Sequence, residues 1–211
     1  MTRSKRAFDL CLAVVLSVLL LPIILGVALW ILVRDGRPVL FLSERMKSPD
    51  TGFQLWKFRT MAPDPEDAGV SGGDKAARIT RTGAFLRRTR LDELPQLWNI
   101  LRGDISFVGP RPPLRSYVER FPDIYGKVLR TRPGVTGLAT LVYHKTEERL
   151  LAETQSADET DAVYARRCVP RKARLDLIHA QNQSVCGDAW LVAATVWRRL
   201  SPHGPSGKSR R

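Results

Sequence analysis

Hydrophobic positions in this chain follow three different rhythms. From Leu10 to Val33 they are nearly continuous, with no charged residue in a run rich in Leu, Val and Ile. That exceeds the ~18 apolar residues that mark a membrane-helix candidate. A cleaved signal peptide fits less well, because its apolar core is roughly 7 to 15 residues and ends in a small-residue site. Gly26-Val27-Ala28-Leu29-Trp30 does not supply one.

The second rhythm is that of strands. Val39-Leu40-Phe41-Leu42 reads as a short buried strand and Phe53-Gln54-Leu55-Trp56-Lys57-Phe58 as an alternating one, with hairpin chemistry in Ser48-Pro49-Asp50-Thr51-Gly52 between them. The third is helical. Leu94, Leu97, Trp98 and Leu101 fall at i, i+3, i+4 and i+7, which predicts a short amphipathic helix N-capped by Asp92 and closed by Gly103. Pro95 then sits in the first turn, where its missing N–H costs nothing. Residues 146–165 read as an acidic, solvated helix. Residues 188–200 read as an apolar one with Trp190, Trp197, Arg198 and Arg199, suited either to a membrane surface or to the core. Residues 62–75, rich in Pro, Asp and Gly, read as an exposed mobile loop, and the basic tail after Ser201 as disordered.

Basic residues flank the apolar run on both sides: Arg3, Lys5 and Arg6 before it, Arg34, Arg37, Arg45 and Lys47 after it. Under the positive-inside rule both flanks ask for the same side. Two arrangements follow: a simple spanning helix that tolerates Pro22, or a re-entrant segment broken there, where proline removes the hydrogen bond to the carbonyl of Val18.

Charge narrows the partners. Lys and Arg number 34 against 21 Asp and Glu, a formal net charge of +13 over 211 residues, so the ligands are anions. Cys11, Cys168 and Cys186 are far apart and lack metal spacing, which argues against a disulfide framework and a zinc site. There is no GxGxxG and no GxxxxGK[ST], so neither a Rossmann nor a P-loop site is indicated.

Against that basic background, Asp92 and Glu93 stand together just after four arginines between Arg81 and Arg90. An acid at a helix N-terminus feels the positive end of the macrodipole and accepts orphan N–H bonds, which favours the ionised form. Asp92 could attack phosphorus to give an acyl phosphate, and Glu93 offers a second hard oxygen. Magnesium binds through one or two carboxylates plus substrate phosphates. Taken alone, however, the pair fits a plain helix cap and a solvated first-turn acid, and Arg87 and Arg88 fit simple adhesion to anionic lipid.

Four motifs change that balance. Lys57-Phe58-Arg59-Thr60-Met61, Leu91-Asp92-Glu93-Leu94-Pro95-Gln96, Gly109-Pro110-Arg111-Pro112 and Arg132-Pro133-Gly134-Val135-Thr136-Gly137 occur in that order. Together they resemble the bacterial sugar transferases, the small monotopic phosphoglycosyl transferases, from about Lys5 to about Leu200. The resemblance implies an α+β, mainly helical fold: a re-entrant membrane helix broken at Pro22 (1–34), a small cytoplasmic catalytic domain with short strands and interfacial amphipathic helices (35–200), and a tail (201–211). It implies transfer of a phosphosugar from a UDP-sugar to a polyprenyl phosphate such as undecaprenyl phosphate, with release of UMP. The setting would be the cytoplasmic leaflet of the bacterial inner membrane, with downstream glycosyltransferases as partners and no role for nucleic acid. Asp92 would be the nucleophile, Glu93 with Asp92 would bind Mg2+, and Arg87, Arg111, Lys57 and Arg59 would serve the anionic substrates. Two positions depart from the family pattern: Leu21 precedes Pro22 where serine is usual, and Arg90 replaces a small polar residue before the Leu-Asp-Glu run. The competing reading is a non-enzymatic basic protein that binds anionic lipid or nucleic acid, which accounts for the charge but not for the order of motifs.

Overall fold

A computed structural model describes residues 1–64 and 73–200. The apolar run forms one helix, α1 (Arg3–Arg34), whose N-cap Thr2 accepts a hydrogen bond from the Lys5 N–H. At 1.5 Å per residue its 32 residues extend about 48 Å. Lys5, Asp9 and Ala13 are buried near one end and Val27 and Ile31 near the other, each set at a four-residue spacing. Between them Val14, Val15, Val18, Leu19, Leu21, Ile23 and Leu25 are exposed. Both ends therefore pack on the rest of the protein while the apolar middle does not, as membrane association requires.

Pro22 lies inside α1, and helical structure runs through it without interruption. This corrects the expectation of a helix broken at Pro22. Proline deletes a single i→i−4 bond and can kink a helix that the flanking turns keep intact.

After α1 comes the antiparallel hairpin of β1 (Leu40–Met46) and β2 (Gly52–Phe58), paired from Leu40↔Phe58 to Met46↔Gly52. The first strand is longer than expected and only partly covered, since Phe41 and Leu42 are exposed. Then follow α2 (Arg81–Thr89), a 3-10 turn over Leu91–Glu93, and α3 (Gln96–Arg102), which Gly103 closes in the left-handed conformation as expected. Next are β3 (Ser106–Val108), α4 (Arg115–Arg120), α5 (Pro122–Val128) and β4 (Gly134–Thr136), the last pairing in parallel with β3. The remainder is helical: α6 (Leu138–Ala152), α7 (Ala157–Val163), a π-helical stretch over Tyr164–Cys168, α8 (Val169–Gln181) and α9 (Val185–Leu200).

Two apolar clusters fasten α1. Ala13 joins Leu97, Ile100, Phe107 and Leu191, while Val27 and Ile31 join Phe58 and Leu86. A third cluster, including Met46, Tyr117, Tyr125 and Val169, holds the α4, α5 and α8 side to the hairpin. Backbone closeness matters at two places. A Cβ on Gly83 would lie 1.9 Å from the Thr60 carbonyl oxygen, and one on Gly109 would lie 2.2 Å from that of Arg132. Only glycine lets α2 touch the segment after β2, or lets the two proline-rich loops cross.

The expected solvated helix over 146–165 is two helices separated at residues 153–156, and Glu147 in it is paired rather than solvated. In α9 both expected settings coexist: Asp188 and Leu191 are buried, whereas Trp190 and Trp197 are exposed. Of the expected loop over 62–75, residues 73–78 form a 3-10 helix and 65–72 lie outside the described residues, as does the tail. All three cysteines are free.

Candidate active site

The acid pair is carried not on a helix but in the tight turn between two helices. Arg90, at φ 62° and ψ 17°, ends α2 in the left-handed region, which non-glycine residues seldom occupy. This reversal starts the 3-10 turn that holds Asp92 and Glu93, and α3 begins only after Pro95. Asp92 is thus not the N-cap of α3. Its Oδ1 is buried with no hydrogen-bond partner, and the orphan N–H bonds expected to ionise it are not made. Accordingly its pKa is raised, first by burial and next by Glu93, with Lys57, Arg90 and Arg111 pulling the other way. The expected shift was downward; the capping geometry that would have produced it is absent.

Glu93 has the opposite surroundings. Its Oε1 lies 3.0 Å from Arg90 Nη1, 3.4 Å from Arg111 Nη2 and 3.6 Å from Lys57 Nζ. Burial alone would raise its pKa, but Lys57, Arg111 and Arg90 together outweigh it and hold the carboxyl at about 2. Lys57 is lowered to about 8 by burial foremost and then by Arg111, with Glu93 only partly restoring it. Cations therefore outnumber the acids here. Arg45 adds one more: burial, then Arg111, lowers its pKa to about 10. All of these line one cleft of ≈ 1350 Å³ together with Arg87, Arg88, His144, Tyr164 and Lys172.

The supports of the turn come from several elements. Asn99, fully buried on α3, accepts from the Trp56 N–H at 3.0 Å and donates to the Gln54 carbonyl at 2.8 Å, which pins the helix after the acids to β2. Arg87 donates from Nε to Thr60 Oγ1 at 2.9 Å, joining α2 to the segment that follows Lys57. Thr80 and Thr82, at the start of α2, donate to the Asp35 carboxylate at 3.1 and 3.3 Å. Arg59 donates from Nη2 to the carbonyls of Asp35 and Gly36 at 2.6 and 2.9 Å. The end of α1 is thereby tied to both elements that carry site cations.

Residues 1–202 match the family described as bacterial sugar transferase. The chain belongs to the bacterial sugar transferases. It is 37% identical over 206 residues to a UDP-N-acetylgalactosamine-undecaprenyl-phosphate N-acetylgalactosaminephosphotransferase of Aeromonas hydrophila, covering 95% of this chain and 44% of that protein. A UDP-glucose:undecaprenyl-phosphate glucose-1-phosphate transferase of Escherichia coli K12 is 36% identical over 166 residues, or 77% of this chain and 36% of that protein. A putative undecaprenyl-phosphate N-acetylgalactosaminyl 1-phosphate transferase of Bacillus subtilis is 40% identical over 118 residues, covering 56% of this chain and 66% of that protein. The chain thus spans less than half the length of the first two.

Within this family member the structure brings Asp92, Glu93, Lys57 and Arg111 together. Arg87 lines the same cleft while its guanidinium is engaged with Thr60 and Met61. Arg59 also borders the cleft, but its hydrogen bonds go to the end of α1 and not to the helix beyond Asp92. Sequence reasoning missed Arg45, His144, Glu147, Tyr164 and Lys172, and left Arg90 without a role. Arg90 binds Glu93 and lies 3.0 Å from His144 Nε2, which also lies 3.1 Å from Glu148 Oε1. Lys172 donates to both Glu147 oxygens, at 2.9 and 3.0 Å, and to Tyr164 at 3.3 Å. An i, i+3 pairing of Arg90 with Glu93 was available from spacing; the contacts from α6 and α8 were not.

Proposed function

We propose that this protein transfers a phosphosugar from a UDP-sugar to a polyprenyl phosphate, releases UMP and starts a membrane-associated glycan. One observation carries the reading. Of two adjacent acids in the cleft, Glu93 takes up three cations while Asp92 keeps an unpartnered, more basic oxygen. A nucleophile needs a free lone pair, and an incoming diphosphate needs cations held in fixed positions. The names of the relatives, which pair UDP-sugars with undecaprenyl phosphate, supply the substrate class.

In the first step a carboxylate oxygen of Asp92 attacks the β-phosphorus. The bond from that phosphorus to the bridging oxygen breaks, and UMP leaves with the electron pair. Lys57 and Arg111, pre-positioned by Glu93, bind the diphosphate and balance the charge that develops. In the second step a phosphate oxygen of the lipid attacks the same phosphorus, and the Asp92 oxygen departs as a carboxylate. The product is a polyprenyl diphosphosugar. Glu93, held ionised far below neutral pH, keeps the cations in place through both steps.

A magnesium ion would be held by Asp92 and Glu93, the two adjacent acids of the cleft, with substrate phosphates completing its ligands. Asp92 offers an oxygen without a partner, and the closest approaches of all three cations to Glu93 are to Oε1, leaving Oε2. Two carboxylates with substrate phosphates form a usual Mg2+ donor set. When bound there, the ion would neutralise phosphate charge and polarise phosphorus. The working setting is the cytoplasmic face of the inner membrane, with later glycosyltransferases receiving the product.

The test is to incubate purified protein with Mg2+ and a panel of UDP-sugars, assaying UMP and the mass of the peptide containing Asp92. UMP release with a phosphosugar adduct on that peptide is the expected result. Turnover with no adduct under quenching would remove the covalent route, and no UMP from any donor would remove the whole reading.

A further inference from the structure

Arg88 has no place in the chemistry above, though it lines the same cleft. It is exposed, and among the described residues no carboxylate lies within salt-bridge reach. Its guanidinium lies over the Phe85 ring, 5.7 Å from the centroid. Phe85 in turn meets Trp30 edge to face, with centroids 5.4 Å apart and planes at 74°. Trp30 belongs to the last turns of α1, so the stack runs from the apolar helix to the rim of the cleft that Arg88 lines. Both residues are over a third exposed, 38% for Trp30 and 39% for Phe85. Leu29 and Val33, beside Trp30, are exposed too, at 61% and 73%.

Tryptophan near the end of an apolar helix settles at headgroup depth. An exposed arginine joined to it through the Phe85 ring meets whatever anion occupies that layer. Neighbouring Arg87 faces the other way, into Thr60 and Met61. The two adjacent arginines thus divide between the interior of the site and its lipid-facing edge.

We propose that Trp30, Phe85 and Arg88 form the entry site of the lipid acceptor. The rings hold the first isoprene units, and Arg88 takes the terminal phosphate at the cleft mouth before it reaches Asp92. The occupant is a polyprenyl phosphate and not bulk anionic lipid, because the cation opens onto the cleft while the aromatic edges continue from the apolar helix. This rests on the transferase reading, so the experiment separates the two half-reactions.

Wild type, Arg88→Gln, Arg88→Lys and Trp30→Ala are compared in nanodiscs of zwitterionic lipid. First-turnover UMP release is measured without acceptor, and the KM for undecaprenyl phosphate in full turnover. Arg88→Gln is expected to raise the acceptor KM about tenfold, as loss of one charge-assisted hydrogen bond would, and Trp30→Ala to raise it severalfold. Arg88→Lys should recover part of the loss, and the first-turnover UMP burst should stay at the wild-type level in all three. An unchanged acceptor KM would overturn the assignment. So would a burst lost in Arg88→Gln, which would place Arg88 at the donor, or an effect confined to binding of vesicles containing anionic lipid. Absence of a burst in the wild type with every donor would instead overturn the transferase reading and this inference with it.

Discussion

Two charge clusters in this protein use the same ingredients to opposite ends. On the far side of α1, Lys5 Nζ binds Asp188 Oδ2 and the Val108 carbonyl, and His179 Nε2 lies 3.0 Å from Asp188 Oδ1. Lys5 and Asp188 are almost wholly buried, and each oxygen of the carboxylate has a partner. In the cleft, two carboxylates face Lys57, Arg90, Arg111 and Arg45, and Asp92 Oδ1 has none. The first set is saturated and closed, so it rivets helices together. The second holds surplus positive charge beside open volume, which is what a reacting anion needs. Carboxylates among cations do not by themselves mark a site; surplus charge beside open volume does.

The comparison can be broken most decisively at Asp92. Asp92→Asn should lower UMP release by on the order of 10⁴-fold, as removal of a nucleophile does elsewhere, while thermal unfolding changes little because Oδ1 makes no bond to lose. Next comes the rivet. Asp188→Asn strands Lys5 without its countercharge and should cost about 3–5 kcal/mol of stability, read by denaturant unfolding in micelles. The chemistry per folded molecule should survive. Glu93→Gln should lower turnover by about a hundredfold, since neutralising one partner of a buried charged set is typically worth a few kcal/mol, and Lys57 and Arg111 would lose their shared partner.

Acidity offers a smaller, sharper probe. Glu93 is depressed from 4.5 to about 2, so its contribution to stability is complete above the ordinary value and disappears as pH falls through that interval. Asp188, lowered by its bonds to His179 and Lys5 against the opposing effect of burial, fails in the same direction. Lys57 runs the other way. With a folded pKa of about 8 it sheds its charge on mild alkalinisation, and kcat/KM for the donor should fall above that point. Lys57→Arg should move that limb upward by at least one pH unit, because arginine keeps its charge.

Local patterning predicted what local patterning determines. The apolar run, the hairpin and the stop at Gly103 were legible because each depends on neighbours within a few residues. Of the residues that gather in the cleft, the resemblance carried by motif order singled out Lys57, Arg87, Asp92, Glu93 and Arg111, and did not single out Arg45, His144, Glu147, Tyr164 and Lys172. What escaped was set at long range. The left-handed turn at Arg90 separates the acids from α2, and no propensity rule places an arginine there. The pairing of Glu147 with Lys172 spans 25 residues, and that of Lys5 with Asp188 spans 183. The downward shift expected for Asp92 failed because it assumed a capping geometry that Pro95 fills instead.

The two attachments of α1 bear on how the protein can be handled. Ala13 sits in one apolar cluster and Ile31 in another, so a truncation beginning after Arg34 would uncover Phe58, Leu86, Leu97 and Ile100 at once. It would also strip Asp35 of its helix and Asp188 of Lys5. The excised remainder should precipitate rather than yield a soluble enzyme. Here the anchor is a component of the core, and purification has to carry it along.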